Sequence, residues 1–232
     1  RAAENHFAHL IEQAPLTIDA LTIFREQQPG SPFIAWRRFP FGDHLQHATL
    51  PASGRLFFFV GPSGAGKDTL LQWVQARIPE HAELVFAQRV ITRPQQPGDT
   101  HEAVDHSTFW RLAAAGQFAM IWEVNGLCYG VRRSIEADLK AGRDVVINGS
   151  REYVPQLQQL FPQAQVIWLE ADEALLRERL MARGRETGPA LLRRISRATQ
   201  FAAPDSHQVI RIDNSGQLEL AGQRILQILA KH

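Results

Sequence analysis

The sequence predicts an α/β fold, a parallel sheet flanked by helices, and three observations carry that prediction. From Leu56 onward short apolar runs alternate with segments of helical spacing, the order that builds a parallel sheet through crossover helices. The run "LFFFV" leads straight into "GPSGAGKDT", residues 61–69, so a strand, a glycine-rich loop and a helix start form one unit. A length of 232 residues, 44% of them hydrophobic, with a net charge of +1, suits one large folded domain with an appendage.

Residues 1–42 hold a helical pattern at Phe7, Leu10 and Ile11, then two strand-like runs, "LTIDALTIF" and "FIAWRRF". The Pro and Gly of "REQQPGSP" mark a turn between those runs. A helix and hairpin of that size bury too little to stand alone, so they must pack on something else. Residues 43–53 read as a linker and 54–232 as the main domain. Within it, strands are expected at 56–60, 84–91, 144–148, 165–171 and 208–214. Helices are expected at 67–78, from Ser107 to near Gly116, and at 132–142, 154–161, 172–184, 190–202 and 218–232.

The balanced charge gives no reason to expect nucleic acid or a membrane surface as partner. No apolar stretch approaches the roughly 20 residues of a membrane span. The lone Cys128 excludes an internal disulfide and a cysteine zinc site, and fits a reducing compartment, so a cytoplasmic location is expected. The chain starts at Arg1, not Met, which reads as a fragment or processed product. His101 and His106 read as surface residues. His47-Ala48-Thr49 is one half of a two-histidine H-x-T pattern with no second half, and reads as chance.

The loop fits the phosphate-binding pattern G-x-x-x-x-G-K-[ST] at Gly61, Gly66 and Lys67, but Asp68 stands where Ser or Thr is usual. Its glycines let successive backbone N–H groups point into one concavity, and the helix that follows adds its positive end. Lys67 would reach the outer phosphates. The hydroxyl usual at the next position helps to hold Mg²⁺, so its replacement by a carboxylate raises the question of where the metal sits.

"GPSGAGKDTL" resembles the loop of the guanylate kinase group, and "ITRPQQPGD", "FWRLAAAGQFAMIWEVNGLCYGV", "DVVINGS" and "RLMARGRETGPALLRRI" follow in that group's order. The GKD loop, "ITRP", "NGLCYGV", "VINGSR" and "ARGRE" are similar, more closely, to the ribose 1,5-bisphosphate phosphokinase family, whose members make phosphoribosyl pyrophosphate (PRPP) in phosphonate breakdown. The match covers 54–232. It implies a P-loop NTPase fold of guanylate-kinase type with lid and acceptor-binding insertions, and ATP and Mg²⁺ as cofactors.

The resemblance also implies roles. Gly61, Ser63, Gly64, Ala65, Gly66, Lys67, Asp68 and Thr69 would bind the nucleotide, with Asn214 of "DNSG" near the adenine. Lys67, Arg183 and Arg194 would act on the transferring phosphoryl group, the two arginines from a lid. Arg89, Arg93, Tyr129, Asn148 and Arg151 would hold the acceptor. Guanylate kinases carry a second arginine where this chain has Gln96, a serine at Arg89 and a base-reading glutamate at Met120. They also carry two carboxylates at Asn148 and Ser150. A methionine cannot accept a guanine edge, whereas added arginines suit a ligand with two phosphates. Asp68 with Thr69 then becomes the expected Mg²⁺ site, and Glu170 is the competing carboxylate. The expected partner is a phosphorylated sugar; a homodimer is left open. A guanylate kinase and a non-catalytic guanylate-kinase-like module are the alternative readings. Residues 1–42 resemble the C-terminal end of a two-histidine phosphoesterase-like protein.

Overall fold

A computed structural model describes residues 20–25, 34–40, 54–79, 83–96, 98–182 and 201–230. The chain divides into two units, 1–46 and 47–232. In the first, β1 (Ala20–Arg25) pairs antiparallel with β2 (Ile34–Pro40), with a register shift between Ile23 and Phe24. The helix expected around Phe7, the 43–53 linker and the His47 motif lie outside the described residues.

The second unit is built on a parallel sheet. Its strands are β3 (Leu56–Val60), β4 (Leu84–Phe86), β9 (Asp144–Asn148), β10 (Gln165–Glu170) and β11 (Val209–Asp213), in the order β11-β10-β3-β9-β4. All four pairings are parallel. β3 and β9 are buried at every position, which is why "LFFFV" and the "VVI" at the centre of β9 are continuous apolar runs rather than alternating ones. Side chains still alternate between faces. Phe58, Val60, Val145 and Ile147 pack on one side with Ile135, Leu139 and Leu157, while Phe57, Phe59 and Val146 pack on the other with Leu70, Val74 and Ile225.

The helices are α1 (Lys67–Gln75), α2 (His106–Ala114), α3 (Ser134–Lys140), α4 (Val154–Leu160), α5 (Glu173–Ala182) and α6 (Leu218–Ala230). α2 starts one residue earlier than expected because Asp105 caps it, its side chain accepting from Thr108 N–H at 2.7 Å. The expected helix at 190–202 falls mostly on residues outside the description, and residues 201 and 202 are not helical. Across the base of the sheet, Arg55 donates to the buried Asp144 through Nε (3.0 Å) and Nη2 (2.5 Å), and to the Leu229 carbonyl at 2.6 Å. That arginine joins the first and third strands of the sheet's sequence order to the last helix.

A second sheet was not foreseen. β5 (Arg89–Ile91), β6 (Glu102–Ala103), β7 (Phe118–Val124) and β8 (Leu127–Arg132) form it in the order β6-β5-β8-β7. β7 and β8 are a hairpin closed by Asn125 and Gly126, with φ of 53° and 73°. Asn-Gly with both residues at positive φ is the turn whose twist matches a hairpin.

Candidate active site

The sheet's parallel strands all end on one side, and that side carries a cleft of about 360 Å³ lined by the phosphate loop, β5, β7, β8 and the segment after β9. Open parallel sheets place ligands at this edge. The loop runs from β3 into α1 with Gly64 at φ 90° and Gly66 at φ 81°. Only glycine adopts these angles without strain, and a Cβ on Gly66 would also stand 2.9 Å from Asn214 Nδ2. Lys67 Nζ donates to the carbonyls of Gly61 (2.9 Å) and Pro62 (3.2 Å), so the ammonium lies over the loop. Ser63 and Thr69 also line the cleft, and Ala65 is buried beneath it.

Asn214, which follows β11, is buried and donates from Nδ2 to the Ala65 carbonyl at 2.7 Å, while its Oδ1 has no partner. It braces the loop from behind. Arg179 of α5 completes this brace, reaching the carbonyls of Gly64 and Asn214 at 3.4 Å. Sequence reasoning missed Arg179, because the carbonyls it reaches belong to residues 115 and 35 positions away in the chain. Arg183 and Arg194 themselves lie outside the described residues.

Asp68 is the hub on the other side. Its Oδ1 accepts from Asn148 Nδ2 at 2.6 Å and from Arg89 Nη2 at 3.2 Å. The pairing of Phe59 with Asn148 brings the end of β9 level with the end of β3, which delivers Asn148 to the first turn of α1. Position 149 must be glycine, since a Cβ there would lie 1.9 Å from the buried Phe58 ring. Glu170, the competing carboxylate, turns to Arg211 at 3.7 Å and does not line the cleft.

The far wall is cationic and aromatic. Arg93 Nη2 donates to Asp99 Oδ2 at 2.6 Å, and the Gln96 N–H donates to the same oxygen at 3.0 Å. Burial pushes the Asp99 carboxyl up, but the Gln96 N–H, the Arg93 guanidinium and His101 together hold it below the ordinary carboxylate range. His101 is a correction: expected at the surface, it is 4% exposed, with Nε2 donating to the Arg93 carbonyl at 3.0 Å. The loop that carries it folds back on β5, and this bond satisfies Nε2 of the buried ring while Nδ1 faces Asp99 Oδ2 at 3.7 Å. Tyr129 lies flat on Trp122, centroids 5.6 Å apart and planes 3° off parallel. Arg151 packs over the Phe201 ring at 5.0 Å.

Met120 is the second correction. It does not line the cleft: it is 1% exposed, in the core beneath. The residues of the same strand face that line the cleft are Trp122 and Val124. The β7–β8 register shift beside Met120 accompanies this placement. Trp122, Asp99, His101 and Phe201 were all missed. The Asn125-Gly126 hairpin signal would have placed Trp122 opposite Tyr129.

A phosphate loop with its lysine, braced at the edge of a parallel sheet and facing a cleft with three arginines, defines a P-loop kinase of guanylate-kinase-like fold. The comparisons narrow the class. Residues 56–204 match the AAA domain family. A ribose 1,5-bisphosphate phosphokinase of Janthinobacterium sp. (strain Marseille) is 63% identical over 229 residues, 99% of this chain and 51% of that protein. One from Thiobacillus denitrificans is 41% identical over 180 residues, 77% of this chain and 94% of that protein. A solved guanylate kinase from Anaplasma phagocytophilum superposes with a TM-score of 0.54 at 22% identity, covering 78% of this chain and 87% of its own. The chain belongs to the ribose 1,5-bisphosphate phosphokinase family. It spans about half the length of the Janthinobacterium relative. Among the described residues no helix is long and apolar enough to cross a membrane.

Proposed function

We propose that this chain transfers the γ-phosphoryl group of ATP to the 1-phosphate of ribose 1,5-bisphosphate, giving 5-phosphoribosyl 1-diphosphate and ADP, as a step of phosphonate degradation. The observation that carries the reading is the joining of the phosphate loop to a wall bearing Arg89, Arg93 and Arg151. Three guanidiniums suit a ligand with two phosphates, and no carboxylate of β7 stands in the cleft to read a purine. Family membership supports the same substrate.

In the reaction an oxygen of the acceptor phosphate attacks the γ-phosphorus, and the bond to the β-phosphate oxygen breaks. The acceptor oxygen is already ionised near neutral pH, so no general base is needed. Catalysis is positioning and charge stabilisation. Lys67 and the loop N–H groups take the ATP phosphates, with Arg179 and Asn214 fixing the loop. Arg183 and Arg194 act on the moving phosphoryl group. Arg89, Arg93, Tyr129 and Arg151 bind the acceptor, Arg93 held in place by Asp99 and Tyr129 by Trp122. Asn148 works through Asp68, to which it donates.

Mg²⁺ fits this donor set. Asp68 supplies a hard anionic oxygen, Thr69 a hydroxyl, and the neighbouring Asn148 Oδ1 is a buried acceptor with no donor. When bound, the cation neutralises charge on the transferring phosphates. Residues 1–42 we assign to an upstream domain, 43–53 to a linker and 54–232 to the kinase. The Thiobacillus relative supports this: 180 aligned residues make up 94% of its length, close to the extent of 54–232. Phosphorus NMR of the full chain with ATP, Mg²⁺ and ribose 1,5-bisphosphate tests the function. A new diphosphate signal is expected, and its absence while ATP is turned over to ADP would reject the acceptor.

A further inference from the structure

One carboxylate oxygen serves two partners of different character. Asp68 Oδ1 accepts from Asn148 and from Arg89. Asn148 is fixed: it ends a fully buried strand, is 8% exposed, and has an Oδ1 with no partner. The other two can move. The Asp68 side chain is 59% exposed on the first turn of α1, and Arg89 reaches it by a long side chain from the start of β5. All three line the cleft with Lys67. Arg89 is therefore held by the residue best placed to serve a metal, at the seam between the nucleotide loop and the acceptor wall.

We propose that Asp68 couples the two substrates by exchanging Arg89 for the metal of the Mg²⁺–nucleotide. This rests on the acceptor reading above. A carboxylate oxygen engaged by a small divalent cation is lost to a guanidinium 3.2 Å away, because the doubly charged ion at contact distance outcompetes a partly solvated ion pair. Asn148 keeps its hold on Asp68 throughout and sets the carboxylate's direction. Arg89, released, turns its donors to the acceptor phosphate. Metal–nucleotide thus precedes tight acceptor binding, and by linkage the acceptor tightens metal–nucleotide binding by the same factor. Exposed ion pairs of this kind set the expected size at about three- to fivefold.

Two readouts on the full chain test it. In side-chain nitrogen NMR, the Arg89 guanidinium signal, assigned with Arg89→Lys, should shift when Mg²⁺ and a non-hydrolysable ATP analogue are added. It should stay in place with the analogue and EDTA. In Asp68→Asn without nucleotide it should already sit near the loaded position. By calorimetry, ribose 1,5-bisphosphate should bind three- to fivefold tighter in the presence of Mg²⁺ and analogue, and that difference should vanish in Asp68→Asn. An Arg89 signal unmoved by the metal–nucleotide, or a coupling that survives in Asp68→Asn, overturns the proposal. If the bisphosphate fails to bind under any condition while Arg89 responds as expected, the exchange stands and the acceptor assignment falls.

Discussion

Lys67 and Asp68 are neighbours in the chain and do different work. Lys67 reaches back over the loop carbonyls of Gly61 and Pro62, bonds that nucleotide phosphates would replace in the function proposed above. Lys67→Ala should therefore lower kcat by about 10²-fold or more, the cost of losing one preorganised donor to transition-state charge, with the melting temperature little changed. Circular dichroism alongside the kinetics checks both halves. Asp68→Asn keeps the shape and removes the charge. The Mg²⁺ concentration for half-maximal rate should rise; an unchanged Mg²⁺ dependence with a lower kcat would assign Asp68 to loop geometry instead. The lysine's place over the loop was legible because the loop is contiguous and its shape follows from spacing. The Asp68–Asn148 contact was not, because it joins residues 80 apart that only the β3–β9 register brings together.

Strands β7 and β8 show what a local reading loses. Asn125-Gly126 is a strong hairpin signal between "FAMIWEV" and "LCYGVR", but a hairpin signal is local and does not show which strands the pair joins in a sheet. Trp122 and Tyr129 became wall residues only through that pairing. By contrast, the central strands β3, β9 and β10 were visible as apolar runs, since burial on both faces forces such runs. The junction after β9 yields a prediction of its own. In Gly149→Ala the new Cβ meets the Phe58 ring, which is fully buried and cannot swing aside. Overpacking of this kind costs about 1–3 kcal/mol, and the relief must come from moving the 148–150 segment, so kcat should fall with the melting temperature. Normal activity and stability in this variant would show that the junction is softer than its packing implies.

Across the whole second unit, the cationic and aromatic wall of the cleft is tied to the sheet through Tyr153, packed 5.5 Å from Trp122 and 6.1 Å from Phe58 by ring centroids. Burial pushes its phenol up to about 12, with a backbone hydrogen bond to Ile121 acting weakly the other way. A raised acid pKa favours the neutral folded form. The stability it contributes is present below the ordinary phenol value of about 10 and is lost as pH rises toward the folded value. Urea unfolding at pH 9 and pH 11 should show a smaller alkaline loss in Tyr153→Phe than in the parent; equal losses would contradict the burial account.

Substrate choice is also a property of the whole cleft. Arg89, Arg93 and Arg151 with Tyr129 bring groups suited to phosphate from three separate segments, while β7 offers Trp122 and Val124 where a purine would need polar partners. Wrong ligands leave such groups unpaired, and discrimination of this kind reaches about 10⁴ or more. Ribose 5-phosphate, lacking the acceptor phosphate, should not react. The decisive comparison is kcat/KM for ribose 1,5-bisphosphate and for GMP, measured in one coupled ADP-release assay on the same preparation. The bisphosphate should be favoured by about 10⁴-fold or more; GMP used as readily would contradict the assignment and make the chain a guanylate kinase.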